Sequence, residues 1–188
     1  VEHEEELLRI LPDDKMSYLS FFVGKSYFYL EDYRSAAQQL NKYLCKEEGK
    51  TPETKSALVT IIQCANILED IDMLAQAVNQ FEVYFKDDEY LPQVYLAKGI
   101  LEKKVGYPQK ANETFDYIEK TYTSLSESKV FLIERALLYD QMEMKEQSLP
   151  IFRHLINTFP EYADDAICWG YLINASIACA EEQKEEKS

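Results

Sequence analysis

Glycine and proline are scarce in this chain, five and six of 188 residues, so little material exists for the many tight turns of a β-sandwich or barrel. No stretch alternates apolar and polar residues with the period of two that marks a half-buried strand. No run approaches the roughly 18 consecutive apolar residues of a spanning helix, which argues against direct membrane insertion of this stretch. Positive charge is also in deficit: 20 Lys and Arg stand against 34 Asp and Glu, a net charge of −14. A phosphate backbone is bound by a basic stripe that displaces its counterions, so nucleic acid is excluded as a partner. An anionic membrane surface is disfavoured on the same ground. Histidine is nearly absent, with His3 in an acidic flank and His154 within FRHLI. Neither belongs to an H-E-x-x-H pattern and no glycine-rich phosphate loop accompanies them, so no catalytic residue, metal ligand or cofactor is assigned. The cysteines Cys45, Cys64, Cys168 and Cys179 form no C-x-x-C pair. Cys64 and Cys168 lie in IIQCANIL and AICWGYL, where a thiol behaves as a small hydrophobe.

What the chain does contain is a repeat. Segments beginning at Ser17, Lys55, Pro92, Lys129 and Ala166 align at steps of 38, 37, 37 and 37 residues. In the first four, a helical pattern is followed by a turn and a second, shorter helical pattern. Gly24, Gly99 and Ala136 share the eighth slot, with Ile62 and Ile173 in the other two segments. Ala36, Ala111 and Ser148 share the twentieth slot, and Leu40, Val78, Phe115 and Phe152 the twenty-fourth. A period in this range predicts stacked helical units, which bind along an extended concave surface. It points to interaction and away from catalysis.

The organisation follows from the punctuation. Residues 1–12 form an N-terminal helical extension, with Leu7, Leu8, Ile10 and Leu11 on its apolar side and Pro12 ending it. A repeat domain over 13–180 is predicted, with units near 13–50, 51–88, 89–124 and 125–161 and a cap over 162–180. Turns are placed at Glu31–Asp32, Leu68–Asp70 and Gly106–Pro108, and Thr51 with Pro52 opens the second unit. Pro150 falls near the start of a second helix, where a kink is expected. ADDAICWGYLINASIACA reads as a fifth first helix lacking a second, and EEQKEEKS, 181–188, as a charged tail. The chain starts at Val1 without methionine, which is read as a mature or excised fragment.

These residues resemble the tetratricopeptide repeat, a helix–turn–helix unit of 34 residues. The first unit matches at Gly24, Tyr27, Ala36 and Leu40, and the third at Tyr95, Gly99, Ala111 and Phe115. Leu132, Ala136, Tyr139, Phe152 and Pro160 match in the fourth, and Trp169 and Leu172 in the terminal helix. The second unit departs most, with Ile62, Ala65 and Leu74 in place of Gly, Tyr and Ala. The resemblance implies an all-α, right-handed superhelical α-solenoid of four helix pairs plus a C-terminal capping helix. NTFPEYADDAICWGYLI also resembles repeats of bacterial envelope proteins, the β-barrel assembly lipoproteins and Tol–Pal coordinators. That likeness favours the bacterial periplasm or envelope over the cytoplasm.

The resemblance further implies a concave groove carried by the first helix of each unit. Its residues would be Tyr18, Phe21, Lys25, Phe28 and Tyr29, then Val59, Gln63 and Asn66, then Gln93, Leu96, Ile100 and Lys103, then Ile133, Leu137 and Asp140. Spacing alone supports one face for the first five. Phe21 and Lys25 stand where a chaperone-tail receptor would carry Lys and Asn, which argues against that role. Lys103 and Lys104 read as solvated surface lysines. The expected function is a non-enzymatic adaptor or assembly factor that binds another protein's peptide or apolar helix in the groove. The alternative is a chaperone-like carrier shielding a hydrophobic segment of a secreted or membrane protein. A groove covered by the chain's own LLRIL segment is the self-contained reading of the same apolar face.

Overall fold

A computed structural model describes residues 13–47 and 49–185. The LLRIL segment lies outside the described residues. Within them the chain is all-helical, 83% helix without a strand. In chain order the helices are α1 (Asp13–Tyr29), α2 (Tyr33–Leu44), α3 (Pro52–Leu68), α4 (Ile71–Phe85), α5 (Leu91–Lys104) and α6 (Pro108–Thr121). There follow a one-turn α7 (Thr123–Ser126), then α8 (Lys129–Gln141), α9 (Lys145–Thr158), a one-turn α10 (Pro160–Ala163) and α11 (Ala166–Glu185). The two one-turn helices, in the stretches between units, are not evident in the sequence pattern.

The repeat is written in the backbone of the turns. The first helix of each pair ends in a left-handed residue: Glu31 (φ 61°), Glu69 (φ 55°), Gly106 (φ 87°) and Glu143 (φ 59°). In each case the next residue's N–H reaches back to a carbonyl five residues earlier: Asp32 to Tyr27 (3.0 Å), Asp70 to Ala65 (2.9 Å), Tyr107 to Glu102 (2.8 Å) and Met144 to Tyr139 (2.8 Å). This is the six-residue closure that satisfies orphan carbonyls at a helix end. Helix starts are capped by side chains that accept an amide hydrogen bond: Asp32 from Ser35 (3.1 Å), Thr51 from Thr54 (3.1 Å), Asp70 from Met73 (2.9 Å) and Ser128 from Phe131 (3.3 Å). The helix at Pro150 runs on unbroken from Lys145 to Thr158, so the ring costs one hydrogen bond without ending the element.

The shared slots are the core. Ala36, Leu74, Ala111 and Ser148 are buried, as are Leu40, Val78, Phe115 and Phe152. In the first pair, a Cβ built on Gly24 would stand 2.7 Å from Leu40 Cγ, so glycine here permits helix contact. Ala136 fills that slot in α8 and packs with Phe152 and Leu155 of α9.

The chain divides into two compact units, Val1–Leu101 and Glu102–Ser188. In the first, α1 packs on α2 and α3, α2 on α3, and α3 on α4. Ala36, Ala37 and Cys64 form a seam between α2 and α3, backed by Tyr27, Phe28, Tyr33 and Met73. Burial pushes the Cys64 thiol up to about 11, so it stays an inert apolar group. In the second unit, α8 packs on α9 and α6, and α9 on α11. Phe115 of α6 meets Phe131 of α8 edge-on at 5.4 Å, and Phe152 of α9 stacks on Tyr171 of α11 at 5.3 Å.

Candidate interaction surface

The apolar residues of α1 exceed what its neighbours cover. Tyr18, Phe22 and Tyr29 fall at i, i+4 and i+11 on one flank, with exposures of 39, 61 and 78%. Leu30 continues them into the turn, exposed as well. α3, packed beside α1, adds half-buried Val59, exposed Gln63 and Ile67, and Asn66, whose amide donates to the Ile62 carbonyl at 3.0 Å. Lys25 is the cation of this surface, and it is already engaged. Its Nζ donates to Thr60 Oγ1 at 2.9 Å, tying α1 to α3, and it lies 6.0 Å from the Phe28 ring centroid.

The chemistry is that of an apolar strip edged with hydroxyls. The Glu47 carboxylate, and after it the neighbouring Tyr43, holds the Tyr18 phenol above its ordinary value, so it stays a neutral donor. Glu31 and Asp32 at the α1–α2 turn, and Glu69 at the α3–α4 turn, are exposed acids at the same helix ends as Tyr29 and Ile67. Such a strip recognises an apolar side-chain row on a partner and discriminates little by charge.

The residues expected to share one groove divide into three groups. Tyr18, Tyr29, Val59, Gln63 and Asn66 belong to the α1–α3 strip. Phe21 does not: it is buried, with its ring 5.3 Å from Tyr43. Phe28 packs on the Ala36–Ala37–Cys64 seam and meets Tyr33 edge-on at 5.6 Å. On α5, Gln93 is exposed, Ile100 half-buried and Leu96 buried. Ile133 and Leu137 lean on the Ala136–Phe152–Leu155 core of the second unit. Asp140 accepts from Lys145 at 2.6 Å, which raises the Lys145 ammonium above its usual range. Lys103 is half-buried and ion-paired with Glu134 of α8, not a freely solvated lysine. The correction has one physical cause. These first helices are apolar on several sides, and periodicity cannot say which apolar stripe meets the neighbouring helices and which meets water.

Two residues were missed. Phe22 was passed over as one more apolar residue of α1, although its spacing from Tyr18 and Tyr29 was readable. Arg135, only 2% exposed, sits in the seventh slot of α8. It donates to Asn112 Oδ1 at 2.9 Å and pairs with Asp116 of α6, while its guanidinium lies 4.3 Å from the Tyr139 ring centroid. Among its partners Asp116 is two-fifths exposed and Arg135 is sealed, so this cluster joins two helices and offers no open reacting centre.

Among the described residues, no group of three His, Cys, Asp or Glu side chains is arranged to hold a metal ion, and no helix is long and apolar enough to cross a membrane. A surface hollow of about 260 Å³ lined by Lys50, Tyr84, Phe85, Lys86, Asp87 and Asp88 falls below the ~300–1,000 Å³ of small-molecule sites. No protein-family model, curated protein or solved structure matches the chain.

Proposed function

We propose that this chain is a tetratricopeptide-like helical-repeat module that binds another protein without catalysing a reaction. Its contact surface is the α1–α3 strip, and its partner supplies a peptide or helix with an apolar row. One observation carries the reading: Phe22 and Tyr29, 61 and 78% exposed, project from the same helix whose other apolar residues are packed away. Large aromatics left in water on one face are the usual anchors of an interface. The recurrence of the left-handed turn in all four pairs supports the repeat reading. An adaptor or assembly role, in a bacterial envelope, follows from the sequence resemblance alone.

The test separates anchors from packing. Phe22→Ser/Tyr29→Ser is expected to melt within about 1 °C of wild type, because surface changes away from packing cost little. It should nevertheless lose the proteins that wild type captures from source lysate, with binding weakened by roughly 2 kcal/mol per anchor. Phe21→Ala should do the reverse, lowering stability by about 3–5 kcal/mol through loss of a buried ring. Retention of the same captured proteins by the double variant would move the interface elsewhere on the chain.

A further inference from the structure

α11 is a first helix whose partner position is open. The pattern is set by α8. There the third and seventh slots, Phe131 and Arg135, contact the preceding second helix α6. The fourth and eighth, Leu132 and Ala136, belong to the cluster with Phe152 and Leu155 of its own second helix α9. In α11 the backward-facing slots are used: Cys168 and Ala175 are buried, and Tyr171 and Leu172 lie on the Phe152–Leu155 cluster of α9. The forward-facing slots are not. Trp169 in the fourth is 42% exposed and Ile173 in the eighth is 52% exposed, and Ile177 one turn on is also 52% exposed. In the other four registers the eighth slot is closed, with Gly24, Ile62, Gly99 and Ala136 all buried. From Ala166 to Ala180 the helix carries no charged residue, in a chain whose net charge is −14.

The chain's own pairs show what such a stripe accepts. Eighth and twenty-fourth slots complement each other in size: Gly24 goes with Leu40, Gly99 with Phe115, Ala136 with Phe152, and the larger Ile62 with the smaller Val78. Ile173 repeats the Ile62 case. The helix that fits is therefore of the α4 kind, whose Leu74, Ala77, Val78 and Phe81 form one buried face at i, i+3, i+4 and i+7.

We infer that the Trp169–Ile173–Ile177 stripe is a docking site for an amphipathic partner helix that takes the position of a missing second helix. The partner presents a leucine–alanine–valine face rather than a phenylalanine opposite Ile173. The site lies in the second unit and does not rest on the α1–α3 strip. Because the stripe is uncharged, docking buries apolar area and is nearly independent of salt.

The chain contains one tryptophan, so Trp169 itself reports on the stripe. The probe is an end-capped peptide of residues 71–85, titrated into the full chain. Saturable blue-shifted Trp169 emission and reduced acrylamide quenching are expected. Ile173→Asp, with unchanged far-UV circular dichroism, should weaken the peptide by about tenfold or more, as removal of a central anchor does. A peptide carrying Val78→Phe should bind several-fold more weakly, as the size rule requires. If Ile173→Asp perturbs folding, Ile177→Gln replaces it as the test variant. The inference is overturned by an unchanged emission spectrum, or by equal binding to wild type and variant. It is equally overturned if the chain dimerises through this stripe, seen as Ile173-dependent self-association in sedimentation, while the peptide does not bind.

Discussion

The two units solve the same joining problem with opposite chemistry. In the first, α3 meets α2 through Ala36, Ala37 and Cys64, an uncharged seam of small residues. In the second, α8 meets α6 through Arg135, which engages Asn112 and Asp116 and has Nε 3.3 Å from Glu119 Oε1. The seventh slot is Ile61 in the one and Arg135 in the other, and both are 2% exposed. A repeat position thus fixes where a side chain stands, not its polarity. The two solutions fail differently. An apolar seam loses stability in proportion to area removed, whereas a buried cation depends on every partner being present.

The largest expected effect is therefore in the second unit. Arg135→Ala should lower stability by about 3 kcal/mol, the low end of the range for breaking a buried pair. The low end applies because Asp116 and Glu119 are about two-fifths exposed and water solvates them once Arg135 is gone. Arg135→Lys should rescue only a minor part, since an ammonium cannot reproduce the planar fork over the Tyr139 ring. Ile61→Val, in the corresponding slot, should cost about 1 kcal/mol. Urea unfolding of the three variants checks the ranking. A cost for Arg135→Ala no greater than that of Ile61→Val would erase the distinction between the units.

The register was legible because it rests on residue size. Slots eight, twenty and twenty-four are where helices touch, so small and large residues recur there at fixed steps, and these slots are buried in all four pairs. Turn positions were legible from Leu-Glu-Asp and Gly-Tyr-Pro. The surface was not. Phe21 and Phe22 are adjacent, both aromatic and both compatible with a helical face, yet one is 8% and the other 61% exposed. Only the placement of Tyr43 decides between them, and that contact spans separate helices. Arg135 escaped for a related reason: a charge in FLIERALL reads as solvent-facing until Asn112 and Asp116 are seen across from it. Ile173 was read as a capping residue, although an isoleucine in the eighth slot with no following second helix already announced an open face.

A middle-sized effect sharpens the comparison at the eighth slot. Gly24→Ala adds a Cβ 2.7 Å from Leu40 Cγ and 3.1 Å from the Leu40 backbone nitrogen, so rotamer change alone cannot absorb it. Overpacking should cost about 1–3 kcal/mol, partly offset by the ~1 kcal/mol helix advantage of Ala over Gly. A net loss near 1 kcal/mol is expected, recovered in part by adding Leu40→Val, the size pairing seen at Ile62 and Val78. In the second unit Ala136→Gly loses only a methyl group and the propensity term, roughly 1 kcal/mol, and no smaller Phe152 should restore it. If Leu40→Val fails to relieve Gly24→Ala, the size rule between these slots is wrong.

The smallest effect tests the turns, where the units are most alike. Glu31 and Glu69 in the first unit and Glu143 in the second adopt a left-handed backbone that costs an L-residue about 1–2 kcal/mol relative to glycine. Replacing any of them with glycine relieves that strain but enlarges the entropy of the unfolded chain by about 0.5–1 kcal/mol, so each should gain roughly 0.5 kcal/mol. Glu143 should gain no less than the others despite its 3.5 Å approach to Lys145, because its side chain is 83% exposed and such a pair contributes little. Gly106→Ala runs the opposite way. Its new Cβ would meet nothing within 4 Å, so any loss, about 1 kcal/mol, is the backbone term alone. The four sites are independent turns, and the gains of Glu31→Gly, Glu69→Gly and Glu143→Gly should add in the triple variant. Thermal melting of the series, with Gly106→Ala as the reversed control, reads this directly. A triple variant no more stable than wild type would mean that the three glutamates hold the turns by contacts of their own.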